Sequence, residues 1–201
     1  MKIGILISGR GSNMLAIVEA VQSGLIPASE VTVVISDKTS AEGLLKAKER
    51  GIETLAVTRK GRTCEEHDAE IIAELKKRNV ELICLAGYLR LLSKEFISAF
   101  PNQIINIHPS LLPAFKGLDA QQQAIEYGVK VSGCTVHFVD VALDHGAIIA
   151  QKTVEVKDDD TAESLAARIL EHEHALYIES VKRIAEGKIK IVGRRVGLVK
   201  N

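Results

Sequence analysis

Apolar positions along the chain follow two rhythms, short β-rich runs and longer stretches with helical spacing. Residues 2–8 predict a strand, 13–23 a helix stopped by Gly24, and 31–36 a second strand, together a βαβ opening. Residues 41–50 have helical composition, with Ser40 placed to cap the start and Gly51 to end it, and 53–57 read as a short strand. A helix over 65–78 follows, with Ala69, Ile72 and Leu75 on its apolar stripe. Residues 81–86 and 103–107 are buried-type strands either side of a short helix over 94–99. Strands alternating with helices predict an α/β fold: a single doubly wound, mainly parallel sheet with helices on both faces and right-handed crossovers.

The pattern changes in the second half. Residues 120–127 read as a helix closed by Gly128, and 130–140 and 147–156 are two long β runs that pair as an antiparallel extension. A long amphipathic helix over 161–185 starts at Thr161 as cap, with Glu163 two residues on, and stops at Gly187 before a last strand over 188–192. Residues 194–201 read as a loose tail. Without a repeat or linker, the 201 residues read as a single domain.

Composition narrows the function classes. Lys+Arg and Asp+Glu stand at 26 each, so no excess positive field draws in nucleic acid or an anionic membrane, and any anion site has to be local. The cysteines, Cys64, Cys84 and Cys134, make no CxxC pair and suggest neither a disulfide framework nor zinc, which fits a reduced cytoplasm. The apolar run at the N-terminus is too short for a signal peptide, and no segment spans a membrane.

Candidate chemistry centres on Asn106-Ile-His108-Pro-Ser-Leu-Leu-Pro113, where a strand gives way to a loop. Residues two apart on a strand share a face, so the Asn106 amide and the His108 imidazole project side by side, as a developing oxyanion requires. A capping Asn and a surface His would also account for the fragment. Asp144, in the loop Leu143-Asp144-His145-Gly146, carries a carboxylate that beside His108 would favour the imidazolium and raise its pKa. His137 lies in a strand alternating Val131, Gly133, Thr135, His137 and Val139, lining the same cleft or serving as a satisfied sheet histidine. His145 reads as a loop residue and His67 as solvent-facing; His172 and His174 do not share a helix face, and no metal is expected.

The first loop, Ser8-Gly9-Arg10-Gly11-Ser12-Asn13, offers glycines for close backbone approach and helix N-terminal donors for a phosphate. It lacks the Gly-Lys-Ser/Thr of a Walker loop, and Met14 occupies the third small position of a dinucleotide fingerprint. Asp37 nevertheless stands near the place of a ribose-binding acid, which keeps a dinucleotide-dependent oxidoreductase open, as is a plain strand-to-helix connector. A non-catalytic ribonucleotide-binding module is a third reading.

The Ser8 to Asn13 loop, Leu85-Ala-Gly-Tyr-Leu-Arg-Leu-Leu-Ser93, Asn106 to Pro113, and Gly133-Cys-Thr-Val-His-Phe-Val-Asp140 through Asp144 together resemble the phosphoribosylglycinamide formyltransferases, folate-dependent enzymes of purine synthesis. The Asn-x-His and Asp set is shared by folate formyltransferases and formyl-folate hydrolases. The first loop and the length narrow the resemblance, since the methionyl-tRNA enzyme has an additional C-terminal domain and the hydrolase an additional N-terminal one.

The resemblance implies that 10-formyltetrahydrofolate, as co-substrate, donates its formyl group to the amine of phosphoribosylglycinamide. These small molecules would be the only partners, with no metal, nucleic acid or membrane, and the protein a monomer or homodimer. His108, Asn106 and Asp144 would be catalytic and His137 supporting. Gly11, Ser12 and Asn13 would hold the phosphate and Glu173 the ribose, while Leu89, Arg90, Leu91, Leu92, Asp140, Val141, Asn106 and Asp144 would meet the folate, much of it through backbone. Residues 1–100 would form the phosphoribosyl half and 101–190 the catalytic and folate half. Leu112-Pro113 would be cis. Three positions depart from relatives: Asp119 stands where many have His, Leu170 where several have a polar residue, and Cys64 where an arginine often meets the folate glutamate tail.

Overall fold

The computed structural model describes residues 1–199. Its elements, in chain order, are β1 (Lys2–Ile7), α1 (Ser12–Gln22), β2 (Glu30–Ser36), α2 (Glu42–Glu49), β3 (Thr54–Ala56), α3 (Cys64–Lys77), β4 (Leu82–Leu85), α4 (Lys94–Ala99), β5 (Ile104–His108), α5 (Ala120–Tyr127), β6 (Val131–Phe138), β7 (Ile148–Glu155), α6 (Ala162–Ala185), β8 (Ile189–Val192) and β9 (Arg195–Leu198). The strands belong to one nine-stranded sheet, and the chain divides into two compact units, Met1–Asn106 and a second beginning at Ile107.

In the first unit the order is β3-β2-β1-β4-β5, all parallel. Parallel strands need crossovers that cover the sheet, so β1 and β4 read as continuous apolar runs and are buried almost throughout. In the second unit the order is β6-β7-β9-β8, with β6 antiparallel to β7, β9 parallel to β7 and antiparallel to β8. Long α6 covers part of this unit with Leu165, Ile169, Tyr177 and Val181 fully buried. A capping box between Thr161 and Ser164 starts α6.

Four expectations are corrected. The start of α2 is capped by neither Ser40 nor any side chain; its N-cap is Ala41. The buried stripe of α3 is His67, Asp68, Ile71 and Leu75, so Ala69 is exposed and His67 faces the interior. There His67 Nε2 donates to the Val57 carbonyl at 2.8 Å and Nδ1 lies 3.4 Å from Asp68 Oδ1. A polar pair satisfied by such partners packs inward as well as an apolar one, which hydrophobic periodicity cannot register. Residues 195–198 form β9, closing a hairpin with β8 through a two-residue turn whose Gly193 takes φ 59°. Residues 200 and 201 of the expected tail lie outside the described residues.

Candidate active site

β5 runs out of the sheet and delivers Asn106 and His108 to the same face of its last turn of pleat. The loop that follows is fixed from inside the second unit. Thr135 Oγ1, on β6, donates to the Ser110 carbonyl at 2.7 Å and accepts from Leu112 N at 3.1 Å. Gln151 Nε2, on β7, donates to the Leu112 carbonyl at 2.9 Å, and the Leu112-Pro113 bond is cis. Held in this way, the loop turns its Phe115 carbonyl onto His108 Nε2 at 2.8 Å. Thr135 and Gln151 are supporting residues that sequence reasoning missed. For Thr135 the signal was the small and polar run Gly133, Thr135, His137 on one face of β6.

Asp144 meets two histidines across that loop. Its Oδ2 lies 3.4 Å from His108 Nδ1, its Oδ1 lies 3.7 Å from His137 Nε2, and Gly117 N donates to Oδ2 at 2.8 Å. His108 is 4% exposed and His137 2%, so the three groups interact with little water between them to weaken the field. Nε2 faces the Phe115 carbonyl, so Nδ1 is the ring nitrogen turned towards Asp144.

His137 is different in kind. Its Nδ1 donates to the Phe138 carbonyl at 2.8 Å, and burial pushes its pKa below the ordinary 6.5, outweighing the favourable Asp144 charge. Below pH 6.5 the unfolded chain takes up a proton that folded His137 resists. Stability is therefore lost as pH falls from 6.5 to the lowered folded pKa, and no further. His137→Gln is expected to lose less unfolding free energy than wild type between pH 7.5 and 5.5 in urea melts. Equal losses would show that His137 does not titrate in this way.

The remaining expected site residues fall as follows. Glu173 is buried on α6, near enough to Cys134 that its charge adds to the burial that pushes that thiol up to about 12. Asp140 accepts from Ala142 N at 3.0 Å, and Val141 is 67% exposed. In the first unit, Gly11 is the N-cap of α1 at φ 73°, and no side chain caps that helix, whose first turn holds no acidic residue. Its N-terminal amides and partial positive charge suit an anion. The loop leans on Gly43, another residue the sequence reading missed: Gly43 N donates to the Gly9 carbonyl at 3.0 Å, and a Cβ on Gly43 would lie 2.5 Å from Ile7 Cδ1.

The segment carrying Leu89, Arg90, Leu91 and Leu92 is anchored at both ends within that unit. Ser8 Oγ accepts from Leu89 N at 2.9 Å, and Asp68 Oδ2 accepts from Ser93 N at 2.7 Å. Arg90 Nε donates to Asp37 Oδ2 at 2.8 Å. The acid considered for a dinucleotide ribose is thus a fully buried partner of Arg90. Leu89 and Leu91 are exposed, so the segment presents apolar side chains beside backbone groups. Cys64 Sγ approaches the Leu91 carbonyl at 3.6 Å, which puts position 64 against this segment. Burial raises its thiol pKa. Among the described residues no group of three His, Cys, Asp or Glu is set to hold a metal ion, and no helix is long and apolar enough to cross a membrane.

The formyl transferase family matches residues 1–181. The chain is 41% identical over 191 residues to the phosphoribosylglycinamide formyltransferase of Haemophilus influenzae, covering 94% of this chain and 90% of that protein. It is 42% identical over 196 residues to the trifunctional purine biosynthetic protein adenosine-3 of Gallus gallus, covering 95% of this chain but spanning only 19% of that much longer relative. The crystal structure of glycinamide ribonucleotide transformylase 1 from Symbiobacterium toebii superposes with a TM-score of 0.97 at 48% identity, covering 100% of this chain and 94% of that one.

Proposed function

This chain belongs to the formyl transferase family, and we propose that it transfers the formyl group of 10-formyltetrahydrofolate to the amine of phosphoribosylglycinamide, in the cytoplasm, as a monomer or homodimer. The observation that carries the reading is His108 held between the Phe115 carbonyl and Asp144, two residues along β5 from Asn106. The likeness to the phosphoribosylglycinamide formyltransferase of Haemophilus influenzae, over nearly the whole length of that protein, supports the choice of acceptor.

The acceptor amine attacks the formyl carbon, and the carbonyl oxygen becomes an oxyanion that the Asn106 amide and the His108 Nδ1–H, only loosely engaged by Asp144 at 3.4 Å, stabilise. The former amine gives up a proton, N10 of the folate gains one, and the bond from the formyl carbon to N10 breaks. Asp144 is the group that takes and returns protons beside His108 Nδ1. His137, anchored to the Phe138 carbonyl, is the supporting residue beside Asp144, with Nε2 3.7 Å from Oδ1. The phosphate of the acceptor goes to the amides of Gly11, Ser12 and Asn13, and its ribose to Glu173. The donor is held by residues 89–92 and 140–144, chiefly through backbone groups.

The test is an assay of purified protein with 10-formyl-dideazafolate and phosphoribosylglycinamide, following folate absorbance and the mass of the acceptor. Formylated acceptor, formed only when both substrates are present, is the expected result. Loss of the formyl group without acceptor would point to hydrolysis, and NADH binding without turnover to a dinucleotide protein.

Cys64 gives this chain a distinguishable donor preference. A thiol cannot make the charge-assisted, bidentate bond that a guanidinium makes to a glutamate carboxylate. Nearby Arg62 is occupied, donating to Glu70 Oε2 at 2.5 Å and to the Glu66 carbonyl at 3.1 Å. Cys64→Arg is expected to tighten a glutamylated donor about fivefold, ~1 kcal/mol for an exposed pair, and to leave a donor without the tail unchanged. Kd measured for both donors at low and high salt decides it; equal effects on the two donors would reject the assignment of position 64 to the tail.

A further inference from the structure

We infer that Arg194, in the turn of the C-terminal hairpin, is a positioning residue for Asp144, acting through the loop of residues 140–146. The inference rests on the catalytic role proposed above for Asp144. Asp144 takes φ 44°, a left-handed conformation that costs energy in a residue with a Cβ, less in Asp than in most, and that its surroundings help to hold. They do so from several sides. Gly117 N holds the Asp144 carboxylate itself. Asp140 Oδ1 accepts from Ala142 N, and Asp140 Oδ2 accepts from His145 Nδ1 at 2.9 Å. Gly146 closes the loop where a Cβ would lie 1.8 Å from the Phe138 carbonyl oxygen.

Arg194 holds the loop at His145. Its Nη2 donates to the His145 carbonyl at 2.6 Å, and its Nη1 lies 2.9 Å from His145 Nε2. Nη1 is also 3.1 Å from His145 Nδ1, so the guanidinium lies against the imidazole as well as on its carbonyl, and the ring in turn reaches Asp140 through Nδ1. Arg194 sits between β8 and β9, and β9 pairs with β7 at Ile148, two residues beyond Gly146. The hairpin therefore straps the loop at His145, the residue next to Asp144. Released from Arg194, the His145 peptide is free to rotate, and the left-handed Asp144 beside it has a lower-energy conformation to enter. An error of an ångström in a proton-moving group costs up to about a hundredfold in rate.

The experiment compares Arg194→Ala, Arg194→Lys, His145→Ala, the double variant, and Arg195→Ala as a neighbouring control, reading kcat, KM, Tm and hydrogen exchange of residues 140–146. Arg194→Ala should lower kcat about tenfold with KM for the acceptor within about twofold and Tm nearly unchanged. Arg194→Lys, which still reaches the His145 carbonyl, should recover most of the loss, and Arg195→Ala should do nothing. The double variant should be no worse than the poorer single one, as for two residues that act through one contact. Exchange in 140–146 should quicken in Arg194→Ala. Wild-type kcat in Arg194→Ala, or a loss that only follows the folded fraction, overturns the inference. If wild type itself transfers no formyl group, the proposed function fails instead, and unchanged exchange in Arg194→Ala then overturns the strap.

Discussion

Replacing His108 by Ala, or Asp144 by Asn, is expected to lower kcat by about a hundredfold or more while substrate binding stays within a few-fold. Both groups act on charge that appears only as the tetrahedral species forms, so their loss falls on the transition state and spares the ground-state contacts. Asp144→Asn is the cleaner variant, because an amide oxygen can still accept from Gly117 N and hold the loop. What it loses is the negative charge 3.4 Å from His108 Nδ1 and the ability to carry a proton. His108→Ala also leaves the Phe115 carbonyl without its donor, so its stability should fall by about 1–3 kcal/mol, and kcat has to be referred to folded protein. Stopped single-turnover assays together with Kd for a donor analogue make the measurement. Near wild-type turnover in either variant would remove that residue from the mechanism.

Gly11→Val should raise KM for the phosphorylated acceptor by about a hundredfold and leave the binding of a folate analogue alone nearly unchanged. Gly11 holds φ 73°, and a Cβ there would lie 2.9 Å from the Gly43 Cα and 2.9 Å from Met14 Cε. Valine thus strains the turn and forces the loop away from α2, which moves the α1 amides that would meet the phosphate. Ser12→Ala, which keeps the backbone, provides a milder companion with an expected effect of about fivefold, one hydrogen bond. Titration of each ligand separately is the check. Equal weakening of both would mean a folding defect or a phosphate site elsewhere.

The order of elements was legible along the chain because each has its own period. α4 and α5 match the expected residues 94–99 and 120–127, and the main strands differ by a residue or two at their ends. The pairing of Asn106 and His108 was legible for the same reason: two positions on one strand share a face whatever surrounds it. α3 shows the limit. Its inward face carries His67 and Asp68, and only their partners, the Val57 carbonyl and Ser93 N, make that burial tolerable. A hydropathy pattern sees two polar residues and turns them outward.

The tertiary structure alone decided which of these groups meet. Asp144 reaches His108 across 36 positions of chain, Arg90 reaches Asp37 across 53, and Arg194 reaches His145 across 49. Such contacts depend on the register of strands and on loops pinned by Thr135, Gln151 and Gly117, none of which has a period to read. The sequence by itself determined an alternating α/β chain, an amide and imidazole pair at a strand end, and a glycine-rich turn before a helix, since all three follow from bonded neighbours and local periodicity. The carboxylate beside the imidazole, the buried partner of Arg90 and the strap over residues 140–146 came only with the fold, because each is a short-range interaction between distant residues.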